Sequence, residues 1–412
     1  MTSTGIEPGP AVQGATVRVV QFTDWGAAGT LRSEWEALLG KSAAATIFQS
    51  WEWMTSWWAA YGQNCELCLL ALYQADGLIA IAPLYCHGPK HALRTRPRRL
   101  RLIGDRTGDS ANLDLLYATG RHSEAVAGLA SWLAARADMW DTLDMESVPS
   151  ESPLLAELTT RLAAMGWSNL CLEWPHLVIV LPATWEEFLS RFSGKRRRYI
   201  GYARRRLQAK HQLVVCRCET TGQLRYFLDA LYRLHGLRWQ KVNRKGVFCS
   251  PQRRVFYEVV SEKLLQAGRL NFWLLELNGR PVAADFFPCF RGTTSAVQGG
   301  WDPEYAVYGV GQVLTSYELE KAIEEGYRAV DCLEGDNAYK LDWTAETRKF
   351  KNMIWFRPWT RGALCLRIHE LLECSRNVAR KIMPTGVWAV VRKAVRRVFP
   401  YRDPIEEPET RQ

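Results

Sequence analysis

Residues 270–290 read LNFWLLELNGRPVAADFFPCF. Leu270 to Leu277 is dominated by Leu, Phe and Trp and predicts a strand. Asn278-Gly279 is the dipeptide of a two-residue hairpin turn, in which both positions take positive φ. Pro281 to Phe290 predicts the returning strand, with proline at its first position, where a missing amide is tolerated. Thr294 to Gly300 then predicts a third strand. Gly311 to Glu325 predicts a helix closed by Gly326 in the C-cap position. Arg328 to Leu333 predicts a fourth strand.

The same order occurs upstream. Glu66 to Tyr73 predicts a strand, Asp76-Gly77 a tight turn, and Leu78 to Tyr85 the return. A strand near Asn112 to Tyr117, a helix over Ser123 to Arg136 and a strand over Thr142 to Glu146 follow. Hairpin, strand, helix and strand, repeated in one order, predict a duplicated α/β module. The expected fold class is α/β with a mixed α+β sheet, in two tandem modules over 17–180 and 181–357. Residues 1–16, rich in Gly, Pro and Thr, are expected to be disordered, and 358–412 to form a basic helical tail.

The bulk properties agree with two domains. The chain has 412 residues, 47% of them hydrophobic and 23% charged, and a net charge of +10. That length exceeds one ordinary core. The positive balance fits an anionic ligand, an anionic surface or a solvated excess of charge. The eleven cysteines are odd in number and scattered. Cys65 and Cys68 make a CxxC with no second pair at zinc spacing, so reduced thiols are expected and no metal is required. The N-terminal residues lack a basic start and an apolar run, unlike a signal peptide. No apolar stretch approaches the roughly 18 residues of a membrane span. A cytoplasmic location follows as the expectation.

Trp185 to Lys210 joins the modules. Its first turn is acidic at Glu186-Glu187, as a helix dipole favours. Ile200, Ala203 and Leu207 have helical spacing, which leaves Lys195 to Arg198 and Arg204 to Arg206 for the other faces. In the tail, Trp388, Val391, Val395 and Val398 form an apolar stripe beside Arg392, Lys393, Arg396 and Arg397. Such a helix suits either packing on the domains or peripheral contact with the inner face of a membrane.

The candidate chemistry gathers in the second module. Gly309-Val310-Gly311-Gln312 lies between a strand and a helix, where bare amides and the helix dipole hold phosphate oxygens. In the first module only Thr119-Gly120 stands at that place, so no phosphate site is expected there. Gly299-Gly300 in a strand suggests a bulge that frees an amide near Gly300 or Trp301 for a developing oxyanion. Asp285 is a carboxylate in an apolar strand, which needs a partner or a task. His235, Arg238 and Trp239 converge on one helix face, and histidine is a common general base. Asp336, Tyr339 and Lys340 follow a strand end, where α/β sheets collect ligands.

Several ordered stretches carry a family likeness. They are His235-Gly236-Leu237-Arg238-Trp239-Gln240, Gly246-Val247-Phe248, Asn278 to Ala284, and Gly300-Trp301-Asp302-Pro303-Glu304-Tyr305. The Gly311 helix and Leu333-Glu334-Gly335-Asp336 through Tyr339-Lys340 complete the set. Over about residues 45–357 the chain resembles the CelD/BcsL-like acyltransferases of the GNAT superfamily, relatives of the Fem peptidyltransferases. The resemblance implies acyl-CoA as donor and a sugar or polysaccharide precursor as acceptor. Gly309, Gly311 and Gln312 would cradle the diphosphate. His235 or Asp285 would take the proton, and Tyr339 and Lys340 would position the acceptor or oxyanion. Nucleic acid is not expected as a partner. The rival readings are a Fem-type aminoacyl-tRNA-dependent transferase and a membrane-surface scaffold with relic modules.

Overall fold

The computed structural model describes residues 6–8, 17–75, 77–88, 97–105, 107, 109–241, 243–334, 338–360 and 364. The basic tail beyond 364 and Asp336 lie outside them.

The strands are β1 (Ile6–Pro8), β2 (Arg18–Phe22), β3 (Glu66–Gln74), β4 (Gly77–His87), β5 (Arg99–Leu102), β6 (Leu116–Tyr117), β7 (Thr142–Pro149) and β8 (Ser168–Val180). They continue as β9 (Leu213–Arg217), β10 (Leu270–Leu277), β11 (Arg280–Phe290), β12 (Thr293–Ser295), β13 (Gln298–Trp301), β14 (Ala329–Glu334) and β15 (Thr347–Phe356). The helices are α1 (Trp25–Ala28), α2 (Arg32–Lys41), α3 (Trp51–Tyr61), α4 (His122–Ala135), α5 (Pro153–Ala164) and α6 (Trp185–Ser190). Then come α7 (Gly194–Lys210), α8 (Thr221–Gln240), α9 (Pro251–Gln266), α10 (Val310–Glu324) and α11 (Ala338–Leu341).

All strands join one mixed sheet, ordered β1-β2-β3-β4-β5-β7-β15-β8-β14-β12-β11-β10-β9, with β6 on β4 and β13 on β11. Each half repeats one plan. β3 and β4 form a hairpin, and β5 lies parallel to β7 across α4. β10 and β11 form a hairpin, and β12 lies parallel to β14 across α10. The two halves meet where β15 runs antiparallel to both β7 and β8, while β8 pairs with β14. The last described strand therefore sits beside the first half, so the duplication is interlocked rather than merely end to end.

The NG turn forms as the sequence requires, with Asn278 at φ 53° and Gly279 at φ 77°. Gly326 takes φ 76° at the end of α10. Its amide bonds the Ile323 carbonyl and the Tyr327 amide bonds that of Ala322, a Schellman closure. Ile200, Ala203 and Leu207 are the buried residues of α7. The halves share one apolar core, in which Trp53 of α3 meets Phe256 of α9 edge to face at 5.1 Å.

Four expectations need correction. Residues 1–16 are not wholly without structure, because Ile6–Pro8 pair with Val20 to Phe22. The strand expected near Asn112 to Tyr117 shrinks to Leu116–Tyr117, since Asn112 has φ 53° and turns the chain. The strand parallel to β7 is instead the arginine-rich Arg99–Leu102, whose Arg99 and Arg101 both pair with Asp144 of β7. The single strand expected over Thr294 to Gly300 is two, β12 and β13, which bond different neighbours.

Candidate functional site: a splayed strand pair beside a helix start

The division of β12 from β13 creates the site. β12 follows β14 from Thr293 to Ser295, and the Ala296 amide still bonds the Asp331 carbonyl at 2.8 Å. The chain then leaves β14, and β13 pairs only with β11, in unbroken register from Phe286↔Gln298 to Ala283↔Trp301. The bulge expected at Gly299-Gly300 does not occur.

Alternation in the β11–β13 pair decides which groups face the gap. The Asp302 amide bonds the Val282 carbonyl at 2.9 Å, so even-numbered residues of β13 turn their backbone toward β11. Gly299 and Trp301 turn theirs to the open edge. Accordingly, the Gly299 carbonyl accepts from Arg238 Nη1 at 3.3 Å. The outward amides are those of Gly299 and Trp301, one residue either side of Gly300.

Each glycine is required for a different reason. A Cβ on Gly300 would stand 2.2 Å from the His235 amide nitrogen, so α8 rests its backbone on that face of β13. A Cβ on Gly299 would stand 2.0 Å from Asp285 Oδ1, on the face toward α10. His235 and Asp285 therefore belong to opposite faces of the sheet.

His235 is buried against Phe248 and accepts at Nε2 from Trp239 Nε1, 2.8 Å away. Burial, with Arg238 and Arg253 adding to it, pushes its pKa down to about 3. It stays neutral, with Trp239 as its partner. Asp285 is half-buried and faces Glu318 of α10. Burial pushes Asp285 up to about 8 although Arg238 pulls the other way. Burial and the Asp285 charge carry Glu318 well above the carboxylate range. Arg238 reaches round the open edge from α8 and lies 5.4 Å from the Tyr339 ring. Tyr339 is 44% exposed, and Asp285 is among the groups that raise its pKa. Arg238, Asp285 and Tyr339 thus converge on the gap.

Lys340 turns the other way. It is buried, donates to the Glu334 carbonyl at 2.7 Å, and lies by Cys332 and Asp331. Burial lowers its pKa. Leu333, just before it in the site, holds φ 55°, a strained conformation for a branched residue.

Gly309 caps α10 at φ 64°, and no side chain closes the helix start. The amides of Val310, Gly311 and Gln312 meet no backbone carbonyl among the described residues. Val310 is buried, while Gly309, Gly311 and Gln312 stay half-buried. The Gln312 side chain is engaged by Arg196 Nη1 at 3.0 Å and by Asp342, so only its backbone faces a ligand. Trp301 lies against Gly311, where a Cβ would be 3.5 Å from its ring. Outward amides at Gly299 and Trp301 thus run on to those of the helix start.

Sequence reasoning missed several participants. Glu318 shares the stripe of Gly311 and Leu314, so a carboxyl on an apolar helix face was a readable signal. Gln298 donates to Asp109 at 2.9 Å, and Asp109 also accepts from Tyr257 at 3.0 Å. The first half thereby anchors β13, a link with no local sequence signal. Among the described residues, no group of three or more His, Cys, Asp or Glu could hold a metal. None of the nine described cysteines is joined in a disulfide to another described residue, Cys65 and Cys68 included. No described helix is long and apolar enough to cross a membrane.

The fold is that of tandem GNAT-like modules. Residues 194–341 match the family described as acetyltransferase (GNAT) domain. A conserved protein of unknown function from Bacteroides thetaiotaomicron VPI-5482 superposes with TM-score 0.53 at 14% identity, covering 80% of this chain and 97% of that one. FemX superposes with TM-score 0.54 at 11% identity, covering 78% and 95%. These likenesses extend across both halves. No curated protein matches the chain.

Proposed function

We propose that this chain transfers an acyl group from acyl-CoA to an amine or hydroxyl of a sugar-type acceptor. The observation that carries the reading is the set of amides without a partner among the described residues, those of Gly299 and Trp301 at the β13 edge and of Val310, Gly311 and Gln312 at the start of α10, joined where Trp301 lies against Gly311. A thioester chain laid along the β13 edge would complete its unpaired backbone. Its carbonyl would accept from the Gly299 or Trp301 amide, which stabilises the oxyanion formed on attack. Its diphosphate would meet the start of α10. Asp285, which stays partly open, would take the proton from the acceptor. Arg238 and Tyr339 would orient the reacting groups. His235 would hold α8 and Trp239 in place.

In this reading 17–180 supports the site and 181–357 performs the transfer, on the inner side of the cell. Calorimetric titration with acetyl-CoA and longer acyl-CoAs tests it. Saturable binding that weakens on substitution at Gly309 or Trp301 is the expected result. Absence of binding to folded protein by every CoA thioester would overturn it.

One observation favours a second reading, an aminoacyl-tRNA-dependent transfer. Lys195, Arg197, Arg198 and Arg205 of α7 are exposed without an ion pair among the described residues, and Tyr199 and Tyr202 stand exposed between them. RNA binding that falls steeply with salt would support it.

A further inference from the structure

Glu318 has no role in the reading so far. It is 5% exposed, and neither carboxyl oxygen meets a hydrogen-bond donor. Among the described residues the charged group that acts on it is the Asp285 carboxyl, itself squeezed against Gly299. Two ionised carboxylates have no donor to share, and like charges in a desolvated place repel strongly. The contact becomes favourable when one proton lies between them.

We propose that Asp285 and Glu318 hold a single proton between them, with Glu318 as the positioning residue that keeps the more accessible member, the half-buried Asp285, ready to accept the acceptor's proton. This rests on the acyl-transfer reading above. The remaining polar neighbours fit the arrangement. Arg238 from α8 favours ionisation of Asp285, the member it lies nearer. Tyr339 from α11 approaches the same carboxyl. Behind Glu318 lies a cavity of about 10 Å³ lined by Asn271, Trp273, Phe287, Thr294 and Glu325. That is room for about one water. Glu325 at its rim is paired with Arg217 of β9, and Asn271 accepts from the same arginine and donates to the Tyr327 hydroxyl.

The acceptor's nitrogen or oxygen attacks the thioester carbon, and its N–H or O–H proton passes to Asp285. The C–S bond breaks, its electron pair leaves on sulfur, and the thiolate takes a proton from solvent. The carboxyl pair, now holding two protons, returns one to solvent.

Infrared difference spectroscopy at pH 9, above the value near 8 to which burial pushes Asp285, tests the pair without any turnover. The wild type should show the carbonyl stretch of a neutral carboxylic acid that Glu318→Gln removes and Asp285→Asn retains. Glu318→Leu, free of the amide's own signal, should remove it too. A band left intact in both Glu318 variants, each checked for folding by circular dichroism, would overturn the proposal. Turnover of acetyl-CoA with glucosamine supplies the second readout. Glu318→Leu, which removes the donor that favours ionisation of Asp285, should leave KM for acetyl-CoA within about twofold, lower kcat roughly 100-fold, and move the rising limb of the pH profile up. An unmoved profile would also overturn it. If no CoA binds the wild type, the acyl-transfer reading falls, while the infrared band still decides the pair.

Discussion

Asp285 Oδ1 occupies the space that a side chain on Gly299 would need, 2.0 Å from the position of its Cβ. The pair faces directly across β11 and β13. A methyl group at 299 must therefore displace the carboxylate that the proposed reaction uses. Gly299 has no positive φ, so the cost of Gly299→Ala is the collision alone. Overpacking of this kind costs about 1–3 kcal/mol. The expected outcome is a lower melting temperature and a loss of turnover. Asp285→Ala should restore the melting temperature of Gly299→Ala, and not the turnover. Additive melting shifts in the double variant would contradict the geometry.

Gly300→Ala should be worse than its neighbour. Its Cβ would meet the His235 nitrogen at 2.2 Å and the Leu234 carbonyl carbon at 2.6 Å. Those are backbone atoms of a long helix, which cannot rotate aside as a carboxylate can. The helix or the strand must shift, and no side-chain truncation compensates. Denaturant unfolding of Gly300→Ala with and without His235→Ala checks this. Recovery in the double variant would show that the side chain, not the helix backbone, fills the space.

The parts of this fold that were legible are those with local causes. Asn278-Gly279 fixes a hairpin because two successive residues need positive φ, and Gly326 stops α10 for the same reason. Ile200, Ala203 and Leu207 are buried because their period is that of a helix. What stayed hidden has distant causes. Arg99 and Arg101 look like loop residues until Asp144 of β7 is set beside them. Gly299-Gly300 suggested a bulge, and nothing in the sequence says that Asp285 comes from one face and α8 from the other. The insertion of β15 between β7 and β8 is invisible to any pattern that reads modules in order. At the site, Asp285, Arg238 and Tyr339 were found as separate oddities and do converge. His235 and Lys340 were chosen for their chemistry, and their side chains are spent on Trp239 and the Glu334 carbonyl.

Stability should have a limb on each side of a pH optimum, with opposite causes. His235 and His176 are buried, and burial pushes both down to about 3. Unfolding lets them take protons below their ordinary value near 6.5, so the folded state loses stability as pH falls from about 6.5 toward 3. Asp285 is pushed up to about 8 and Glu318 upward as well. Their contribution is complete below the ordinary carboxylate range and is lost as pH rises toward 8. Each group contributes a slope of about 1 kcal/mol per pH unit within its window. Glu318→Gln should flatten the alkaline limb, and His176→Leu, which keeps an apolar contact on Phe350, the acid limb. Urea unfolding at pH 4, 6 and 8 checks both. An alkaline slope unchanged in Glu318→Gln would remove the buried carboxyl pair as its source.

Gly309→Asp separates binding from folding. At the start of α10 a carboxylate is favourable to the helix, because it accepts from bare amides and meets the positive end of the dipole. Asp also tolerates positive φ better than most residues, and Gly309 sits at φ 64°. Its Cβ would approach only the Tyr199 hydroxyl, at 3.1 Å, the movable end of a half-exposed side chain. The folded protein should therefore keep its melting temperature within a few degrees. A diphosphate at the same amides would face a negative charge where it needs donors. Affinity for acetyl-CoA should fall at least tenfold, about 1.4 kcal/mol, and the loss should shrink as added salt screens the repulsion. Gly309→Asn, with the same shape and no charge, should lose far less. Equal losses in the two variants would mean that the ligand is excluded by volume and that its charge is held elsewhere. No loss in either would place the ligand away from the start of α10.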